Sequence, residues 1–118
     1  MGSSAPSIEH RFAHGEESVV RVGDLELDLH RYRVRRAGSS VPITAMQCRL
    51  LRYLMERPST VVSRKRLLRD LWQDEALDEG TVTAGIVRLR RALGIVGGPD
   101  LIRNVRGQGY RFVADPDS

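Results

Sequence analysis

Residues 81–93 read TVTAGIVRLRRAL. At about 100° per residue, Val82, Ile86, Leu89 and Leu93 fall within about 60° of one another, which is the apolar stripe of a helix packed on a core. Opposite that stripe lie Thr81, Ala84, Val87, Arg88 and Arg91, with Thr83 and Arg90 on one shoulder. The outer face carries no carboxylate. A helix face that is merely solvated usually mixes both signs and uses long side chains. Small residues between arginines instead let a backbone come close to a polyanion while guanidinium forks reach past it.

Downstream, residues 101–112 read LIRNVRGQGYRF. Two short β-like runs, Leu101–Arg106 and Tyr110–Val113, flank Gly107-Gln108-Gly109 and predict a hairpin with a three-residue turn. Arg103, Arg106 and Arg111 sit on or beside this thin ribbon. Gly-x-Gly alone is a weak phosphate-loop signal, and without a third glycine and a following helix the dinucleotide reading fails. From Val82 to Val113 six arginines (88, 90, 91, 103, 106 and 111) face one aspartate, Asp100, so this region alone carries +5 where the whole chain carries +4. Charge localised in this way is the electrostatic footprint of nucleic-acid binding. Gly94 is expected to close the third helix just after Leu93.

Upstream, a second helix is predicted to start at Ser63, with Val62 and Leu67 as its hydrophobic staple and Leu67, Leu68, Leu71 and Trp72 as its stripe. Residues 73–80, QDEALDEG, form an acidic loop. The first helix opens at Thr44 with a capping box to Gln47 and a staple from Ile43 to Cys48. Its buried stripe is Cys48, Leu51, Leu54 and Met55, and Pro58 stops it. From Val19 to Ile43 the pattern is β-like, with Leu25, Leu27 and Leu29 alternating with Glu26 and Asp28, and turns at Gly23-Asp24 and Gly38-Ser39-Ser40. The predicted order is ββββ–α–α–α–ββ.

The 118 residues divide into a tail or linker (1–18), one folded domain (19–113) and a C-terminal tail (114–118). Met1–Ser4 resemble an added start, and a linker implies a longer parent protein. With 41% apolar residues the composition is that of a globular domain. Lys65 is the sole lysine among 19 basic residues. A GC-rich genome explains that bias as well as nucleic-acid recognition does, so position has to decide. One cysteine, Cys48, excludes an internal disulfide and a Cys-rich zinc site, and on its apolar stripe it reads as core. No apolar run is long enough for a membrane span and no secretory signal is visible, so a cytoplasmic protein with no membrane partner in this fragment is expected.

The stretches SRKRLLRDLW (63–72), TVTAGIVRLRRAL (81–93) and LIRNVRGQGYRF (101–112), in this order and spacing, resemble the OmpR/PhoB family of response-regulator effector domains. The likeness runs from about Val19 to Val113. It implies an α+β winged helix-turn-helix: a four-stranded antiparallel N-terminal sheet, three helices and a C-terminal β-hairpin wing. It further implies double-stranded DNA as partner, with the third helix in the major groove and the wing in the minor groove. Carried over by position, Arg88 and Arg90 are the recognition-helix contacts, Thr81 and Ala84 line the same face, and Arg91 lies on it. Arg106 is the wing-tip arginine with Asn104 beside it, and Arg64 and Trp72 match phosphate-touching positions, Trp72 being equally well explained as core. The loop 73–80 corresponds to the family's transactivation loop, so Asp74, Glu75, Asp78 and Glu79 are expected to meet RNA polymerase. Two half-sites on DNA imply a dimer there and a monomer when free.

This chain departs from the family pattern at Gly80, where a basic residue is usual, and at Thr83, Gly85 and Val87, where an acidic residue, a histidine and an arginine are common. The groove face is less charged as a result, with Ala84 and Val87 suited to thymine methyls. No cofactor is expected. An enzyme would need a catalytic constellation, yet His10, His14 and His30 stand far from the carboxylate loop and no nucleophile elbow or metalloprotease motif is present. A winged helix used only to bind proteins is the other alternative, and it predicts a mixed or hydrophobic third-helix face.

Overall fold

The computed structural model describes residues 18–74 and 76–113, together with the backbone of 9–11. An N-terminal antiparallel sheet runs in sequence order through β1 (Glu9–Arg11), β2 (Val19–Val22), β3 (Leu25–Asp28), β4 (Arg33–Arg36) and β5 (Ser39–Pro42). Helices α1 (Ala45–Met55), α2 (Arg64–Leu67) and α3 (Gly80–Val96) follow. A second sheet, ordered β6-β8-β7, joins β6 (Val61–Val62) to the hairpin of β7 (Ile102–Val105) and β8 (Gly109–Phe112). The expected α+β winged helix-turn-helix is thus present, and β2–β5 are its four anticipated strands.

Strand β1 is an addition, since Glu9–Arg11 lies inside the stretch read as tail and pairs with β2 as Glu9 to Arg21 and Arg11 to Val19. Residues 1–8, 12–17 and 114–118, the rest of the expected tails, lie outside the described residues. Strand β6 was not anticipated either. Val62, read only as a helix staple, pairs with Tyr110 and makes the wing three-stranded at its root.

Helix α1 is the hub, packing on β2, β3, β8 and α3. Thr44 caps it: its Oγ1 accepts from Gln47 N at 3.1 Å, while Gln47 Oε1 accepts from Thr44 N at 2.8 Å. Cys48, Leu51, Leu54 and Met55 are buried as expected, and Leu50 and Tyr53 join them. Burial pushes the Cys48 thiol up to about 11, although the nearby Arg52 charge opposes this, so it packs as a small apolar residue.

Three expectations need correction. Helix α3 runs one turn past Leu93, and Gly97 ends it with φ 85° while its N–H donates to the Gly94 and Leu93 carbonyls. Burial of Ala92 and Val96 extends the apolar stripe through Gly94 and outweighs that glycine's weak propensity. The second helix is regular only over Arg64–Leu67 and widens into a π turn at Leu68–Trp72. This turn closes with the Asp74 N–H on the Leu68 carbonyl and a left-handed Gln73, while Arg49 donates to the Leu71 carbonyl at 2.8 Å. Finally, Asp28 is not on an outer face but 1% exposed. Its carboxylate accepts from the backbone N–H of His30 and Arg31 and pairs with Arg35 at 3.3 Å. Burial favours its neutral form, yet those donors hold its pKa below the ordinary 3.8.

Candidate nucleic-acid interface

Helix α3 turns its apolar stripe inward as its periodicity requires. Val82, Ile86 and Leu89 are buried, and Leu93 packs partly buried against the same core. On the opposite face Val87, Arg88 and Arg91 are exposed, with Val87 41% exposed, and Thr81 and Ala84 are half-covered. Arg88 and Arg91 have no hydrogen-bond or ion-pair partner among the described residues. Two free guanidinium groups beside small side chains can meet phosphate or a base edge without first breaking a bond to the protein.

Trp72, Thr81 and Arg88 are brought together. They line one shallow depression with Gly85 of α3 and Thr44, Met46 and Gln47 at the start of α1. Trp72 packs partly buried against the core, which supports its core reading, but its indole also walls this depression. Gly85 explains itself here: a Cβ at that position would lie 3.3 Å from the indole Cη2 and Cζ2 atoms. The unusual residue in the helix is the partner of the tryptophan edge. Thr44, Met46 and Gln47 escaped the sequence reading because nothing along the chain relates an α1 cap to the outer face of α3.

The hairpin tip carries Arg106, exposed and without a partner among the described residues. The turn is Arg106-Gly107-Gln108, closed by the Gln108 N–H on the Val105 carbonyl at 2.8 Å, and Gly109 already belongs to β8. Arg103 and Arg111 are exposed and stand directly opposite each other across β7 and β8. Like charges placed so disfavour the ribbon and are relieved by an anion.

Arg90 and Asn104 are partnered within the chain. The Arg90 Nη2 group donates to the Ile102 carbonyl and to Asn104 Oδ1, and Nε lies 3.6 Å from an Asp100 carboxylate oxygen. Arg64 is half-buried, its guanidinium 5.3 Å from the centroid of the buried Tyr110 ring. Tyr110 and Thr83 were missed as partners. A signal existed, because Thr83 and Arg90 are seven residues apart and share one face.

The loop before α3 is exposed throughout its described residues. Asp74 accepts from Ala76 N at 3.0 Å and Asp78 from Gly80 N at 3.1 Å, so both carboxylates also shape the loop. Glu79 precedes the first turn of α3 without capping it through its side chain. Glu75 lies outside the described residues. Among the described residues no cluster of His, Cys, Asp or Glu could hold a metal ion, and no helix is long and apolar enough to cross a membrane.

Comparison with known proteins bears on this geometry. Residues 38–112 match a family described as "Transcriptional regulatory protein, C terminal". The phosphate regulon transcriptional regulatory protein PhoB of Rhizobium meliloti is 44% identical over 94 residues, covering 79% of this chain and 41% of the relative. The chain therefore spans less than half the length of that relative. Among solved structures, the DNA-binding domain of E. coli CadC superposes with a TM-score of 0.73 at 26% identity, covering 80% of this chain and 91% of the other. The Klebsiella pneumoniae RstA DNA-binding domain, in complex with the RstA box, gives 0.70 at 25% identity, covering 84% of this chain and all (100%) of the other.

Proposed function

The chain belongs to the OmpR/PhoB-type family of transcriptional regulatory C-terminal domains, which bind DNA in transcription regulation and are not enzymes, and from that premise we propose that it reads a specific double-stranded site. In this reading α3 lies in the major groove and the hairpin tip in the adjacent minor groove. The observation that carries it is the outer face of α3, where Arg88 and Arg91 stand exposed with no described acidic partner. Arg88 is the base reader, with Thr81, Ala84 and Val87 packing beside it. Arg91 and Trp72 meet the backbone, and Arg64 reaches a phosphate from the wing root. Arg106 enters the minor groove, whose width and negative potential it senses. Asn104 stands beside that strand as a polar neighbour.

The acidic loop, Asp74, Glu75, Asp78 and Glu79, is proposed to dock on a basic patch of RNA polymerase in the cytoplasm. The domain is a monomer when free and a dimer on DNA, where two copies fill half-sites about one helical turn apart. The test begins with selection of a site from random duplexes by this domain. Arg88→Ala should then lose preference for that site over a scrambled one. An unchanged ratio would remove α3 as the reader. Salt titration gives an independent check, since neutralising about four to six phosphates predicts a log–log slope near −4 to −5. A slope flatter than about −2 means that the basic face does not bind.

A further inference from the structure

We infer that the Thr83–Arg90 shoulder of α3 is a brace to the wing, and that Arg90 positions the hairpin relative to the recognition helix instead of touching DNA. This deepens the DNA-binding reading and rests on it.

The geometry of Arg90 carries the inference. Its Nη2 nitrogen donates to both the Ile102 carbonyl and the Asn104 amide oxygen on β7, while Nε, without a hydrogen-bond partner among the described residues, lies 3.6 Å from the Asp100 carboxylate in the loop before that strand. The neighbouring Arg88 and Arg91 have no such partner among the described residues. An arginine that already has two oxygen acceptors and a carboxylate beside it must give them up to bind a phosphate, and its field is partly cancelled by Asp100. Two turns earlier on the same shoulder, Thr83 Oγ1 lies 3.5 Å from the hydroxyl of Tyr110 on β8. Tyr110 is 1% exposed, and Arg64 at the start of α2 covers its ring. Both hairpin strands are therefore tied to one face of α3, β7 by Arg90 and β8 by Tyr110.

Such ties matter because the hairpin is narrow and its tip stands several residues beyond its root. A small change of angle at Ile102 becomes a large displacement at Arg106. Two elements that enter adjacent grooves together bind tightly only if their relative angle is set beforehand, since otherwise association bears the cost of ordering the ribbon. Arg90, held by two hydrogen bonds to β7 and an ion pair to Asp100, sets that angle in the free protein.

The experiment uses the whole 118-residue chain with Arg90→Ala, Arg90→Lys, Asn104→Ala and the Arg90→Ala/Asn104→Ala double variant. In the free protein, amide exchange of residues 102–105 and 109–112 should speed up in every variant, and α1 should keep its protection. Affinity for the selected site should fall roughly tenfold for Arg90→Ala, with the same salt slope and the same base preferences as the parent. Lysine should rescue only in part, because its ammonium can replace Nη2 at the Ile102 and Asn104 oxygens but lacks the planar fork that also sets Nε beside Asp100. The double variant should bind no worse than Arg90→Ala alone.

Three results would overturn the brace: a salt slope lower by about one in Arg90→Ala, full rescue by lysine, or loss of preference at one base pair. Each would return Arg90 to direct contact. If Arg90→Ala does not fold, Asn104→Ala still decides, since unchanged hairpin exchange in that variant refutes the brace. A parent domain that binds no duplex refutes the DNA reading, while the exchange data still judge the brace.

Discussion

The N-terminal sheet and the α3–hairpin region are both rich in arginine, yet they use it in opposite ways. In the sheet Arg21 pairs with Glu26 at 2.9 Å, Arg35 with Glu26 and Asp28 at 3.3 Å, and Arg36 with Asp24 at 2.9 Å. The Arg21 guanidinium, by hydrogen bond and charge, holds Glu26 below the usual carboxylate range, with Arg35 adding to this and burial opposing it. In the second region Arg88, Arg91 and Arg106 have no carboxylate within reach among the described residues. The arginine bias of the whole chain therefore decides nothing. Partnering separates the two: paired arginine is committed within the sheet, and unpaired arginine on a shaped face is free to meet an anion.

The largest effects come from exchanging an arginine between these roles. Arg88→Ala should cost on the order of 1–3 kcal/mol in binding the selected site and leave the urea midpoint unchanged. Arg35→Ala should do the reverse. It strips an ionic partner from buried Asp28, costs on the order of 1–3 kcal/mol of stability and leaves the DNA affinity of the folded fraction intact. Finding both losses in a single variant would break the division between the regions.

Acid should separate them next. Asp70 accepts from Arg69 Nε at 2.9 Å and from the Tyr53 hydroxyl at 2.6 Å, which lowers its pKa from 3.8 to about 2. A depressed carboxylate contributes its full stabilisation above the unfolded value and loses it as pH falls through the folded one. Stability should therefore decline between pH 3.8 and about 2, and Asp70→Asn should make that limb shallower in urea melts. The proposed DNA face relies on arginine, which stays charged throughout. Affinity should accordingly be flat from about pH 5 to 8, and a step there would point to a titrating contact absent from this account.

A weaker effect is expected from the acidic loop. Asp74→Asn with Glu79→Gln removes two charges yet leaves an amide oxygen to accept from Ala76 N. Affinity for DNA should rise by no more than about twofold, as like charge near phosphate is removed. Reporter activation should fall. Collapse of DNA binding would make the loop a structural element of the reading head.

The regular parts of this molecule were legible because a local rule governs each. The Thr44–Gln47 capping box, the Val82–Leu89 stripe and the hairpin, its turn one residue earlier than expected, all follow from spacing over a few residues. What escaped depends on distant partners. Burial of Val96 carried α3 through Gly94, and pairing with Tyr110 made Val62 a strand residue. Asp28 is buried because its turn and Arg35 satisfy it, which no alternation pattern reveals. For the site, the wheel located the exposed face and the shoulder of α3, and the family likeness assigned Arg90 on that shoulder to DNA. Only the folded position of Asn104 and Ile102 shows that Arg90 has partners within the chain.

The smallest effect should come from Gly85, where the core and the reading face share a boundary. Alanine is favoured over glycine in a helix interior by about 1 kcal/mol, mainly through unfolded-state entropy. Against this, the new Cβ would sit 3.3 Å from the Trp72 ring and 3.7 Å from a Leu50 methyl, so one neighbour has to yield by a few tenths of an ångström. Leu50 is fully buried and Trp72 only partly, and the indole borders an open depression, so the indole moves. Gly85→Ala should thus gain less than about 1 kcal/mol in urea melts. The tryptophan emission should shift, and DNA affinity should change by a small factor through the displaced indole beside Arg88. A loss of more than about 1 kcal/mol would mean that Trp72 is held as rigidly as the core behind it. The reading face would then begin one residue further out, at Thr81 and Arg88 alone.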